Sequence, residues 1–523
     1  MFVASGVTRT ELEREGRKLV RRNGKQVLLI CSEGQFFAVA NRCPHEGYPL
    51  SEGTLGPGCV LTCNWHNWKY DLRTGAALIG RDPVRTYPIE MKSEEIFFDP
   101  SDPPAEAQRA RALRGIEIGM ADNDGARLAR EAARLDRAGF DAKSAVVHAI
   151  VITHERLEGG MSHAHAAAAD WLALAEEASD DDTRLTALLE PIGHLAWDTT
   201  GAGRFSYANK TEAWNEALFL KGMEDENEEE VIARIRGAIA EKVPYRTLRP
   251  AFGMAALAHY ADFGHSAIYA LKTGQLIERL GEDVSAPVLL AHTRQLVQAR
   301  REDRLPEFRR YAEARNEWDG ARKARLAASD FEGLPVDKAL RKLSDASGRD
   351  TRELYDIMLG AAAYNLFHFN LEFDRATRNP IADNVSWLDF THALTFANAA
   401  RHLCTDRPEL WPNALLQLAL FVGRNAAYVD SRQELERWRI ENANAFLALE
   451  KKRLFDHGIV EPIIACHRVK VLFALEDELK ESPDAPWAGT MCAAVNRYLN
   501  TPMKRHHGLR QATQARDFIA REG

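Results

Sequence analysis

Two short stretches, CPHEGYPL from Cys43 and CNWHNWKYD from Cys63, each set one cysteine beside one histidine. The spacings are Cys43-Pro44-His45 and Cys63-Asn64-Trp65-His66, with 17 residues between His45 and Cys63. A tetrahedral zinc ion accepts two thiolates and two imidazoles, but zinc-binding loops usually keep Cys with Cys and His with His at close spacing. Loops that each mix the two suit a dinuclear iron–sulfur cluster, in which one iron takes both thiolates and the other both imidazoles. Whatever the chain folds into must bring these two loops face to face.

At 523 residues the chain exceeds one ordinary core, at roughly 100–200 residues per domain. Its apolar fraction is 45% and its charged fraction 28%, and no apolar run approaches the roughly 18 residues that span a bilayer, so a soluble protein is expected. The opening MFVASGVTRTELEREG lacks the basic and apolar regions of a signal peptide. Seven cysteines are too few for a disulfide framework in so long a chain and fit a reducing cytoplasm. A net charge of −8 without a basic stripe argues against nucleic acid as a partner.

Up to about residue 99 the chain reads as short β-segments: QVLLICSE, QFFAVAN, GCVLTC, VRTYPIEM and EEIFFD, each bounded by turn formers. DPSDPPAEAQ, with three prolines, marks a boundary. Beyond it, Ala, Leu, Glu and Arg dominate with apolar residues at helical spacing, as in HAAAADWLALAEEA and LLQLALFVGRNAAYV. The expected architecture is therefore a small all-β domain over 1–104 followed by a large all-α domain over 105–523, its helices joined by short loops.

CPHEGYPLSEGTL and CNWHNWKYDLRTG together resemble the Rieske [2Fe–2S] box, with Gly47, Leu50, Gly53, Tyr70, Asp71 and Gly75 where such a box has them. The resemblance implies that Cys43 and Cys63 bind one iron and His45 and His66 the other. It also implies a subtype. High-potential respiratory members carry a further cysteine in each loop, joined as a disulfide, and a serine that donates to the cluster. Tyr48, Trp65 and Asn67 stand at those positions here, which points to the ferredoxin and oxygenase type and a lower potential within a class spanning roughly −150 to +300 mV. Asn67 departs from the usual glycine. Cys31 and Cys59 are read as structural.

The helical domain has fewer guides. The catalytic domain of ring-hydroxylating Rieske oxygenases begins its iron site with Asp-x-x-His, as Asp389 and His392 do, but the next histidine, His402, lies too far on and the surrounding text is helical. HSAIYAL at His265, THALTFANAARHL at His392 and SHAHAAAADWLAL at His163 resemble the questin-oxidase-like helical oxygenases, which implies oxidation of an aromatic or polyketide-like compound with O2. Independently, Asp262/His265 and Asp389/His392 share an Asp-Phe-x-His pattern, and i,i+3 spacing puts both side chains on one helix face, as in di-iron carboxylate bundles. His163, His165, His259 and His368 with Glu372 could complete such a site. The competing reading is that each aspartate simply caps a helix. No G-x-G-x-x-G follows a strand, so nicotinamide and flavin sites are assigned to a separate reductase. His506 and His507 in MKRHHGLRQ read as part of a solvated basic helix.

The expectation is a cytoplasmic oxidoreductase that receives electrons from an external NAD(P)H-dependent reductase or ferredoxin. It would carry them through the [2Fe–2S] cluster to a non-haem iron, mononuclear or di-iron, at Asp262, His265, Asp389, His392, His163 and His368, to oxidise an apolar or aromatic small molecule. The resemblance leaves room for a homo-oligomer. The alternative is an electron-transfer protein whose helical domain holds no metal and docks onto a separate oxygenase.

Overall fold

A computed structural model describes residues 1–503 and 507–522 of the chain. The chain forms two compact units, Met1–Ala107 and Gln108–Gly523, divided early in the helix Ala105–Ala121. His506 lies outside the described residues.

In the first unit, β1 (Val3–Thr8), β2 (Arg17–Arg22), β3 (Lys25–Ser32), β4 (Gln35–Ala40), β5 (Thr54–Gly56), β6 (Val60–Thr62), β7 (Lys69–Asp71), β8 (Ala77–Ile79), β9 (Ile89–Lys92) and β10 (Glu95–Phe98) make three antiparallel sheets. Their orders are β1-β10-β9, β2-β3-β4 and β5-β6-β7-β8. β3 holds the unit together. Val27, Leu28, Leu29 and Ile30 are all fully buried, and because successive side chains leave a strand on opposite faces, Leu28 and Ile30 enter one core while Val27 and Leu29 enter another. The first of those cores includes Cys43 and Cys63. The opening stretch, for which sequence patterning suggests no element, supplies β1 and a short helix, Arg9–Glu15; the Thr8 side chain caps it by accepting from Glu11 N, and Gly16 ends it at φ +73°.

The second unit contains no strand among the described residues and is built of helices. Four of them matter most: α1 (His163–Glu177), α2 (His265–Leu280), α3 (Trp387–Asp406) and α4 (Pro462–Glu481). They pack as a ring in which α1 touches α2, α2 touches α3, α3 touches α4 and α4 returns to α1. α1 is buried on every side from Ala164 to Ala175 and, apart from His165 and Asp170, is apolar over that span, as suits a helix at the centre of a large core. Its alanines let neighbouring helices come close.

All four helices run the same way. His163 and His265 meet at the starts of α1 and α2, and seven residues further on in each helix Lys272 Nζ meets Asp170 Oδ1 at 2.6 Å. α3 and α4 repeat this: His392 meets His467, and lower down Arg401 Nε meets Glu478 Oε1 at 2.8 Å. A polar cleft lined by the later turns of all four helices, including Asp170, Lys272, Asn398 and Asp477, shows that the two pairs share one direction. Parallel neighbours cannot be joined by short loops. Short loops do join many consecutive helices, but each ring helix is separated from the next by a long excursion of other helices. No described helix is long and apolar enough to cross a membrane.

Candidate functional site

Two histidine-rich sites stand out, one in each unit. In the first, the Cys43 and Cys63 loops are built alike. Cys43 N donates to Tyr48 O (2.9 Å) and Cys63 N to Trp68 O (2.8 Å), while Gly47 N returns to Cys43 O (2.8 Å) and Asn67 N to Cys63 O (2.9 Å). The closing residue of each turn is left-handed, Gly47 at φ +77° and Asn67 at φ +59°. Asparagine is among the few side chains that adopt this conformation readily, so Asn67 keeps the turn that a glycine makes in the other loop. A Cβ on Gly80, itself at φ +109°, would lie 2.4 Å from the Trp68 indole, which stacks on His45 at 4.6 Å between ring centroids.

The loops turn their cysteines inward and their histidines outward. Cys43 and Cys63 are 3% and 1% exposed, whereas His66 is exposed and His45 half-buried. The two imidazoles approach to 4.6 Å between centroids. Tyr70 from β7 brings its hydroxyl to 3.1 Å from Cys43 Sγ, a sulfur contact that motif reading passes over. His45 Nδ1 is buried without a hydrogen-bond partner, an unusual state for a ring nitrogen unless another ligand takes it. Two buried thiols, two adjacent imidazoles and an orphaned ring nitrogen are a donor set that fits a [2Fe–2S] cluster bridging inside and outside. Cys31 and Cys59 stay outside this set, Cys59 lying beside Ser32 O and Glu33.

The second site sits where the ring helices begin. His163 and His265 are the first residues of α1 and α2, and His392 and His467 lie in the second turns of α3 and α4. His163 Nε2 is 2.8 Å from His265 Nε2, and His392 Nε2 is 3.1 Å from His467 Nε2. Across the pairs, ring centroids are 4.4 Å apart for His265 and His392 and 5.0 Å for His163 and His467. Nitrogens of His163, His392 and His467 all lie within 4.8 Å of one another.

Backbone carbonyls fix how these rings face. His467 Nδ1–H donates to Ile463 O (2.7 Å), His392 is hydrogen-bonded to the Leu388 carbonyl, and His265 Nδ1–H donates to Asp262 O. A carbonyl can only accept, so the Nδ1 atoms of His265 and His467 carry the proton and their Nε2 atoms turn lone pairs toward the cluster. Burial is the main cause that pushes His163, His392 and His467 well below the ordinary imidazole value and His265 down to about 4; Lys470 presses all four in the same direction, with neighbouring imidazoles adding to it at His163, His392 and His467 and Arg300 at His265. Four helix N-termini, each a partial positive charge, further disfavour protonation there. Lys470, one turn beyond His467, is buried, and burial favours its neutral form. The Tyr269 ring lies 5.5 Å from that of His265.

The sequence-derived set is thus brought together only in part. The Asp262 carboxylate is engaged elsewhere, accepting from Arg300 N (2.9 Å) and Gln295 Nε2 (3.0 Å), and it is the Asp262 carbonyl that meets the His265 ring. Asp262, Phe263 and Gly264 are three successive left-handed residues, at φ +48°, +48° and +81°, and this turn aims the Asp262 carbonyl at the His265 ring. Asp389 closes a capping box on Ser386 N (2.8 Å) and pairs with Arg424 (3.0 Å), the capping alternative for that residue. His368 ends another helix, Thr351–Phe367, with Nδ1 on Tyr364 O. His259 bridges Glu224 and Asp303, and His402 pairs with Asp477. His165 is buried next to Ser162, and Glu372 is an exposed residue of Leu371–Arg375. His467 was missed. Its signal, His467 followed by Arg468 and Lys470 in the otherwise apolar PIIACHRVKVLFAL, was available.

The twin loops and their inward cysteines define a Rieske-type site, and residues 6–88 match the Rieske [2Fe–2S] domain. The chain belongs to that family through its N-terminal unit. Over 78 residues it is 37% identical to the 3-phenylpropionate/cinnamic acid dioxygenase ferredoxin subunit of Photorhabdus laumondii, covering 14% of this chain and 74% of that protein. Over 79 residues it is 33% identical to the ferredoxin component of the p-cumate 2,3-dioxygenase system of Pseudomonas putida, covering 15% of this chain and 67% of that protein. Among solved structures, the ferredoxin of carbazole 1,9a-dioxygenase from Nocardioides aromaticivorans IC177 is similar at 25% identity, covering 19% of this chain and 99% of that one, with a TM-score of 0.18. Residues 108–523 lie outside the family match.

Proposed function

We propose that this protein is a Rieske-linked oxygenase in which Cys43, His45, Cys63 and His66 hold [2Fe–2S] and His163, His265, His392 and His467 hold a mononuclear non-haem iron. The observation that carries the second site is the pairing of His392 and His467. His467 is tied by Nδ1–H to Ile463 O and the His392 ring to the Leu388 carbonyl, an arrangement that turns Nε2 toward Nε2 across 3.1 Å. Two lone pairs at that distance repel, and a proton between them would be a buried charge. A metal ion removes the conflict: ligand bonds of about 2.1 Å at right angles place neighbouring nitrogens about 3.0 Å apart. Imidazole donors suit iron among the common redox metals. A di-iron site would need bridging carboxylates, and those of Asp262 and Asp389 are engaged elsewhere.

When bound, the two centres supply one-electron transfer and O2 activation. The chain's own residues hold and orient: Asp262, Leu388 and Ile463 fix the imidazoles through their carbonyls, and the buried surroundings keep them neutral. The reductant is a separate NAD(P)H-dependent reductase or ferredoxin. The substrate is an aromatic or apolar small molecule, a reading supported by the aromatic dioxygenase systems in which the relatives work.

A second reading has support of its own, because those relatives are ferredoxin components: the chain would transfer electrons only, and its helical unit would hold no metal. Metal analysis with electron paramagnetic resonance separates the two. About three irons per chain is expected, with a Rieske signal and a separate mononuclear signal; about two irons and the Rieske signal alone would overturn the oxygenase reading.

A further inference from the structure

A cleft of about 520 Å³ lies elsewhere on the helical unit, between the loop 433–438 and the end of the helix Ala488–Asn500. Its walls carry three guanidinium groups, of Arg375, Arg437 and Arg497, and one carboxylate, of Glu434. Arg497 is 2% exposed, and its recorded acceptors are neutral: Phe367 O and, at 2.7 Å, Gln433 Oε1. Arg437 lies 4.9 Å over the Trp438 ring. Among the described residues neither has a carboxylate within ion-pair distance. Burial and then repulsion from Arg437 pull Arg497 down to about 10. A buried charge left unpaired is costly, and proteins seldom keep one without a counterion.

Two further polar groups line the same cleft. Thr501 Oγ1, on a residue 6% exposed, and the Trp438 indole N–H are both buried and make no hydrogen bond. Each can donate to an anion. Beside them, Leu435, Leu371 and Pro502 give the cleft an apolar wall next to the Trp438 ring. Inorganic phosphate would satisfy the donors and leave that wall wet.

We propose that this cleft binds an organic anion, its carboxylate or phosphate head held by Arg437, Arg497, Thr501 and the Trp438 N–H, and its apolar or aromatic body lying against Leu435 and Trp438. The volume suits a small ring compound with one acidic group. This site is independent of the metal assignment above and stands whether or not the four histidines hold iron.

Titration calorimetry on the full-length protein tests it with three probes: benzoate, its neutral match benzamide, and inorganic phosphate. Benzoate is expected to bind, benzamide at least about tenfold more weakly, and the exposed-site variant Arg437→Gln to lose about tenfold in benzoate affinity. Trp438→Phe, which keeps the ring and removes the donor, should weaken benzoate by a smaller factor. Circular dichroism and the Rieske signal report whether either variant has lost its fold. No heat with benzoate up to about 10 mM would overturn the proposal. So would equal binding of benzoate and benzamide, benzoate binding unchanged in Arg437→Gln, or binding of phosphate without benzoate.

Discussion

The two histidine sites solve opposite problems. The Rieske ligands lie within 24 consecutive residues, Cys43 to His66, and local turns place them: two equivalent loops, each closed by a left-handed residue, aim two thiols in and two imidazoles out. The four-histidine site draws one residue from each of four helices spread over 305 residues, His163 to His467, and nothing local brings those four residues together. Only tertiary packing does so, with a carbonyl behind three of the rings setting the final orientation. A short-range site is written as spacing; a long-range one is written as a fold.

The largest expected effect tests whether the two sites are separable. His392→Ala and His467→Ala should each lower iron from about three to about two per chain and leave the Rieske signal intact, whereas Cys63→Ala should remove the Rieske signal and leave about one iron. Metal content with electron paramagnetic resonance on the three variants reads this directly. Loss of both signals in any one of them would mean that the centres are not independent.

Next in size is Gly264→Ala. Its Cβ would have to adopt φ +81° and would lie 2.8 Å from the Phe396 ring and 3.0 Å from that of Phe421. A cost of about 2–4 kcal/mol is expected for the helical unit, from strain and overpacking together, with no change in the Rieske unit. Scanning calorimetry should show the helical transition moving down while the Rieske chromophore bleaches at its former temperature.

Tyr70→Phe probes the short-range site more gently. Removing the hydroxyl 3.1 Å from Cys43 Sγ takes away a donor that favours added electron density on the sulfur. A hydrogen bond of about 0.5–1.5 kcal/mol corresponds to a potential lower by about 20–60 mV for one electron. Protein-film voltammetry gives the number, and an unchanged potential would remove Tyr70 from the tuning of the cluster.

The smallest effect contrasts a carboxylate-paired histidine with the carbonyl-tied ones. The hydrogen bond to Asp303 raises the pKa of His259, burial opposes, and Glu224 adds to the rise. A raised folded-state pKa contributes stability that is fully present below about pH 6.5 and is lost as pH climbs through the folded value. His259→Gln should therefore lower the melting temperature at pH 5.5–6 and converge on the unmutated protein at alkaline pH. The four cluster histidines, held neutral, should give no such trend when their metal is bound.

The same contrast explains what the sequence made legible. The cysteine and histidine spacing, the β-segments around it and the change of texture after DPSDPPAEAQ were readable because each depends on neighbours along the chain. The role of Asp262 was not. It stands at the right spacing for a ligand, but three left-handed residues turn its carboxylate away and its carbonyl inward, at a turn whose Gly264 leaves no room for a Cβ beside Phe396 and Phe421. The echo of Asp-Phe-x-His conceals two unlike structures, a strained turn at 262–264 and the first turn of α3 at Asp389, which nonetheless deliver histidines 4.4 Å apart. His467 escaped because no aspartate precedes it. Short loops were expected throughout, whereas the parallel ring requires long returns between its members.

That parallel arrangement also sets an order of events. Synthesis proceeds from the N-terminus, and domains generally fold as they emerge. All four Rieske ligands are present once about an eighth of the chain has been made, so the first pocket can close while the ribosome is still working. The second must wait for His467 and for three long returns to the same end of the bundle. Translation stalled between residues 406 and 462 would leave a nascent protein with an assembled Rieske domain and only three of the four histidines.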